Sequence, residues 1–171
     1  GKRSSVTSQD ISFNKATACP VELLQPTHKN YTYKGGATLT DGLLGDKGFG
    51  TGRWLGFSGN DLEAVIDLKQ NTDVSSVSLN TCVDKGSWIF DARNIEVSVS
   101  ADGKTFTKVA SKSLPALEEQ TPDNIYTYEL TFPQTTTRYV KVTATSEHNI
   151  PEWHGGKGKP AFLFVDEISI K

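Results

Sequence analysis

Along most of this chain apolar and polar residues change places at every step over short runs, and nowhere does a helical spacing of apolar positions persist beyond a turn or two. Ala64–Leu68 is mostly apolar, and Ser75–Val83 alternates through Val77, Leu79 and Thr81. Ile95, Val97 and Val99 alternate with Glu96 and Ser98; Tyr126, Tyr128, Leu130 and Phe132 with Thr127, Glu129 and Thr131; Val140, Val142 and Ala144 with Tyr139, Lys141 and Thr143. Each pattern predicts a strand with one buried face. Asp102-Gly103 predicts a tight turn leading into Phe106 and Val109, so a hairpin is expected there. Residues Ser5 to Val21 read as an early strand ending near Pro20, and Leu23 to Thr38 as an exposed loop with His28, Tyr31 and Tyr33. Many short strands without intervening helices predict an all-β antiparallel β-sandwich of jelly-roll or Greek-key type.

The last strand, from Phe162, shows a strict period of two. It places Phe162, Phe164, Ile168 and Ile170 on one face, interrupted by Asp166, and Leu163, Val165, Glu167 and Ser169 on the other. Each face then carries one carboxylate at its middle. A half-buried acid needs a partner, either a bound cation or a Lys or Arg, or else an outlet to solvent at a sheet edge. Before this strand a loop rich in Gly and Lys carries Trp153 and His154 between Pro151 and Pro160, and a second loop, Asp84 to Asn94, carries Trp88, Phe90, Asp91 and Arg93. Aromatics in such loops are either ligand contacts or hydrophobic plugs at the end of the sandwich.

Thr40-Asp41-Gly42 through Trp54 holds five glycines and the acids Asp41 and Asp46. A Gly-rich acidic turn can fold carbonyls and carboxylates toward one hard cation, although Asp-Gly is equally a plain turn. The spacing is neither that of an EF-hand nor that of a phosphate loop.

The chain has 171 residues, 36% of them hydrophobic, enough for one domain with a core; we expect a single domain over 1–171. A net charge of -2 without basic blocks argues against nucleic acid, and no apolar run is long enough to span a bilayer. Gly1-Lys2-Arg3-Ser4-Ser5 lacks a signal-peptide core, so the chain reads as a piece of a longer precursor. Cys19 and Cys82 suit one disulfide or two small thiols, the latter favoured slightly. His28, His148 and His154 are scattered, and the nucleophile-elbow and zinc-protease motifs are absent, so the chain reads as a non-enzyme.

The order Thr40-Asp41-Gly42, Trp54, Ala64-Val65-Ile66-Asp67-Leu68, Ser98 to Phe106, Arg138-Tyr139-Val140-Lys141-Val142 and Val165-Asp166-Glu167-Ile168 resembles the coagulation factor V/VIII type C, or discoidin, family, over nearly all the chain from Ser12. Bacterial members are family 32 carbohydrate-binding modules. Trp153-His154 and Phe162 to Ile168 resemble the version at the C-terminus of bacterial β-N-acetylhexosaminidases (chitobiases).

The resemblance implies a galactose-binding-like jelly roll and a structural calcium, held by Asp41, Asp46, Thr51 and Glu167. It also implies a periplasmic, cell-surface or secreted bacterial accessory module, expected to be monomeric and tethered to a catalytic domain of the same polypeptide. Terminal galactose- or N-acetylhexosamine-type sugars are its expected ligands. By position within loops rather than by motif, His28, Arg93 and Trp153 are counterparts of the family's sugar ligands, with Tyr31, Trp88 and His154 beside them. The competing expectation is a structural domain that packs on the catalytic domain and binds no sugar.

Overall fold

Where the sequence alternates, the chain forms strands. The structure is a computed structural model that describes residues 13–46 and 53–171. Its strands are β1 (Val21–Leu23), β2 (Leu55–Ser58), β3 (Leu62–Val83), β4 (Asn94–Ser100), β5 (Thr107–Ser113), β6 (Asn124–Thr145) and β7 (Phe162–Ile170). All pair antiparallel in the order β2-β7-β3-β6-β4-β5, with β1 added on β3. The all-β antiparallel expectation holds.

Two long strands turn this single ladder into two layers. The first half of β3, Leu62 to Asp67, pairs with Tyr139 to Ala144 of β6, whereas its second half, Ser76 to Val83, pairs with Asn124 to Thr131. Register breaks at Asp67/Thr72 and at Val74/Ser76 bend the pair between these stretches. Lys69 adopts φ 72 at the bend, and Arg138 clamps Asp67 there through bonds of 2.9 and 3.1 Å. One layer therefore gathers β1, the first half of β3, the second half of β6, β4 and β5. The other gathers β2, β7 and the remaining halves. Ile66, Ile95, Val97, Val140 and Val142 of the first layer belong to the same buried core as Val77, Leu79, Leu163, Val165 and Ile168 of the second. Truncating one of these side chains to Ala would cost about 2–5 kcal/mol.

The Asp102-Gly103 hairpin forms as expected, with Gly103 at φ 76 and Asp102 accepting the N–H groups of Lys104 and Thr105 at 2.8 and 3.0 Å. Two expectations need correction. Of the early strand, residues 5–12 lie outside the described residues, and 13–20 form turns; pairing starts at Val21, because Asn14 and Thr17 cap each other's backbone instead of joining a ladder. The supposed exposed loop before Thr38 ends in a 3-10 helix, Gly35–Leu39, that buries Thr38 and Leu39 under the sandwich. Cys19 and Cys82 are both free thiols, and burial pushes that of Cys82 up to about 11.

Candidate functional site

The period of two in the last strand breaks at its acids. Leu79 faces Ile168 and Thr81 faces Val165, so Asp166 and Glu167 together oppose Asn80. Two residues against one is a β-bulge. It lets Leu163, Val165, Ile168 and Ile170 all reach the main core, which a regular strand would forbid, while Phe164 joins a separate cluster with Trp54, Cys82 and Ile89. The reading of one carboxylate per face is thus wrong: the bulge absorbs a parity change and turns both acids toward the Asp41–Asp46 loop.

That loop is latched at two points. Gly42 N–H donates to Glu167 Oε2 at 3.0 Å, and Gly45 N–H donates to Asp166 Oδ2 at 2.8 Å. Asn80 adds a second donor to Asp166 at 3.0 Å. Gly45 lies on the indole of Trp54, where a Cβ would come within 2.3 Å of the ring, and the Trp54 N–H donates to Asp46 O at 2.7 Å. Only glycine permits this contact.

The two bulge acids differ in how far their needs are met. Asp166 is fully buried, with its carboxylate bonded; Glu167, 1% exposed, leaves Oε1 without a hydrogen-bond partner among the described residues. Burial pushes the Glu167 carboxyl up to about 9, helped by the nearby carboxyls of Asp41 and Asp166. A buried carboxyl with an orphan oxygen beside a second carboxylate suits a bound cation. Asp41 is placed for this, its Oδ1 accepting from Leu43 N–H at 2.9 Å and its Oδ2 pairing with Lys34 at 3.1 Å. Asp46 is turned toward Arg53, 4.0 Å away. Thr51 lies outside the described residues. Among the described residues no three of His, Cys, Asp and Glu come together in a metal-holding group, so a hard cation here would draw on backbone carbonyls besides Glu167 and Asp41.

At the end of the sandwich where β3 stops and β7 starts, two aromatic groups meet. His28 and Tyr31 pack on Phe162 with ring centroids 5.2 and 5.8 Å away, and Tyr31 also packs on Phe164 at 4.8 Å. Phe162 N–H donates to Trp88 O at 2.8 Å, which joins this group to the second. There Trp88, Phe90 and Trp153 surround His154 at 5.9, 5.3 and 5.6 Å, with Trp153 stacked on Phe90. Gly156 slides under Trp88, since a Cβ there would lie 3.0 Å from the indole. Trp88 takes a left-handed backbone at φ 65, a strained conformation for a bulky residue.

These side chains differ in what they have left to offer. His154 spends both ring nitrogens internally, Nε2 on Lys85 O at 2.7 Å and Nδ1 on Gly156 N–H at 2.9 Å. Trp153 donates its N–H to Leu117 O at 3.3 Å. Arg93 is spent on Glu147 at 2.9 Å and Leu114 O at 3.2 Å. By contrast, among the described residues His28 uses only Nδ1, toward Asn30 N–H at 3.2 Å, which leaves Nε2 for a ligand, and the Tyr31 hydroxyl is likewise unspent. Lys159 Nζ stands 5.8 Å above the Trp88 ring. The structure therefore unites His28, Tyr31, Trp88, Trp153 and His154 at one end, and among the described residues Arg93 enters none of their ring contacts. Phe162 and Lys159 were missed as members, the first because it reads as strand and the second because a Lys in a Gly-rich loop gives no signal until its neighbours are known; Phe90, open in the sequence between ligand contact and plug, is buried under Trp153.

A model of the F5/8 type C domain matches residues 23–159. A search by sequence against curated proteins finds no match. Among solved structures, the chain is similar to chitosan-binding module 1 from a chitosanase/glucanase of Paenibacillus sp. IK-5 (16% identity, 94% of this chain and 99% of that one, TM-score 0.58). It is also similar to the lectin domain of lectinolysin complexed with Lewis B antigen (18%, 94% and 97%, TM-score 0.60). A Ruminococcus gnavus GH29 fucosidase in complex with fucose matches over 92% of this chain but only 26% of its own length (18%, TM-score 0.57).

Proposed function

Because this chain belongs to the F5/8 type C domain family, we propose that it is a non-catalytic carbohydrate-binding module that holds an attached glycoside hydrolase near its substrate outside the cytoplasm. The observation that carries the reading is the half-exposed patch in which His28 and Tyr31, whose Nε2 and hydroxyl are unspent among the described residues, pack on Phe162, the residue whose backbone N–H is bonded to half-exposed Trp88. A pyranose presents an apolar face of C–H groups and a rim of hydroxyls, which ask for an aromatic plane and a few hydrogen-bonding groups. Similarity to modules and lectin domains whose names specify chitosan and Lewis B antigen supports a glycan ligand, and the partial overlap with a fucosidase supports a tethered role. Weak binding suffices when tethering raises the effective concentration. Terminal galactose or N-acetylhexosamine is the proposed ligand class, and a β-N-acetylhexosaminidase the proposed parent.

In the same reading Glu167 and Asp41 hold a structural calcium with carbonyls of the Asp41–Asp46 loop; the ion supplies the positive charge that the orphan Oε1 lacks. Titrating N-acetylglucosamine, N-acetylgalactosamine and galactose while following Trp fluorescence tests the sugar site. Saturable binding that His28→Ala and Trp88→Ala each weaken is expected; no binding at millimolar sugar would leave only a structural role.

A further inference from the structure

A cavity of about 220 Å³ opens under the 114–121 loop, whose Leu117 carbonyl accepts the Trp153 indole N–H. Its walls include Leu114, Leu117, Glu118, Tyr126 and Tyr128, and Asp91 lies in its lining. Asp91 is 7% exposed. It accepts hydrogen bonds from Thr81 Oγ1 at 2.7 Å, from Ala92 N–H at 2.8 Å and from the Tyr128 hydroxyl. All three donors are neutral. Of the cations nearest in sequence, Lys85 is paired with Asp123 at 2.6 Å and also donates to the carbonyl of Thr121 in the cavity lining, Arg93 is paired with Glu147 at 2.9 Å, and among the described residues no Lys or Arg pairs with Asp91.

A carboxylate withdrawn this far from water without a counter-charge is costly, and a cation entering beside it removes that cost. Two tyrosine rings in the same wall add attraction for a cation through their π faces. The volume is below the ~300–1,000 Å³ of pockets for drug-sized ligands, so it has room for a small group and not an oligomer. Glu118 adds negative charge at the mouth, and the lining contains no basic residue.

We propose that this cavity is a second binding site, specific for an organic ammonium group, and that its ligand is a hexosamine unit carrying a free amine in place of the N-acetyl group. The ammonium donates to Asp91 Oδ2 and lies against Tyr126 and Tyr128, while Leu114 and Leu117 cover the apolar side of the sugar ring. The choice of a sugar as the carrier rests on the carbohydrate-binding reading; the affinity for ammonium rests on the cavity alone.

The test is a set of amide-resolved NMR titrations at matched ionic strength with tetramethylammonium chloride, glucosamine hydrochloride and N-acetylglucosamine. Tetramethylammonium and glucosamine should shift the amides of Leu117, Tyr126 and Tyr128 saturably, and N-acetylglucosamine should leave these signals in place. Asp91→Asn should weaken glucosamine about tenfold or more, by loss of a charge-assisted bond. Should that variant fail to fold, the rim variants Glu118→Gln and Tyr126→Ala, which leave the core intact, should each weaken it roughly threefold. Absence of saturable shifts with both ammonium compounds, equal shifts from N-acetylglucosamine, or full affinity in folded Asp91→Asn would overturn the proposal. Signals of His28 and Trp88 report the other site in the same spectra. Their silence toward every sugar counts against the carbohydrate reading, and shifts from tetramethylammonium alone would keep the ammonium pocket while removing the sugar as its carrier.

Discussion

The Asp41–Asp46 loop and the aromatic loop end are both built on β7, yet they solve opposite problems. At the loop, one buried carboxylate is left short of partners among the described residues: Asp166 is satisfied, and Glu167 keeps an orphan oxygen and a carboxyl pushed up to about 9. At the loop end, several donors are spent on holding aromatic rings in place, while among the described residues His28 Nε2, the Tyr31 hydroxyl and Lys159 Nζ are left over. The first region should therefore govern stability through charge, and the second should govern recognition with little effect on stability.

The largest expected effect is that of Asp166→Ala, which removes a fully buried carboxylate and leaves its part-buried donors, Gly45 N–H and the Asn80 side chain, without their acceptor. We expect a loss of about 3 kcal/mol and a melting temperature lower by roughly 5–10 °C, read by calorimetry. A loss below 1 kcal/mol would show that the latch is dispensable.

Calcium comes next. At a hundredfold excess over its dissociation constant it should stabilise the protein by about 2.7 kcal/mol, and Glu167→Gln should abolish the response. In metal-stripped protein the pH dependence has a definite direction. Glu167 keeps its proton in the folded chain up to about 9, against an ordinary 4.5, while the unfolded chain releases it earlier. The folded state thus binds the extra proton between these values, and stability should fall as pH rises from 4.5 toward 9. Added calcium should flatten that slope; a stripped protein whose melting temperature is level over this window would contradict the assignment.

Gly156→Ala sharpens the comparison from the other side. A Cβ 3.0 Å from the indole must push Trp88 aside, at a cost of about 1–2 kcal/mol, and sugar affinity should drop more than stability does. The smallest effect is that of Tyr31→Phe, which keeps the ring on Phe164 and removes one hydroxyl. Binding should weaken by about 1 kcal/mol, roughly fivefold, with the melting curve unchanged. A shift in melting without a shift in binding would reassign Tyr31 to packing.

The strands were legible because each buried face has a period of two, and the hairpin because Asp102-Gly103 can turn in few other ways. The bulge was not. A local doubling at Asp166 and Glu167 leaves the written alternation intact while the geometry changes face, and only the register against Asn80 reveals it. The loop end was legible as a set of aromatics but not as a division of labour, since whether His28 or His154 offers a nitrogen depends on backbone groups such as Lys85 O that any residue could supply. Arg93 could be placed in a loop from sequence, while its capture by Glu147 across 54 positions could not.

The two long strands β3 and β6 carry a further consequence. Each runs through both layers, so neither layer owns a complete set of strands. A sandwich made of two separate sheets can slide or part along its seam; here the seam is crossed twice by continuous backbone. Opening one layer would unzip the other, so slow hydrogen exchange should report a single all-or-none unit rather than two. Molecules drawn by their ends should give way in one event, and the loops at either end should keep a fixed spacing until they do.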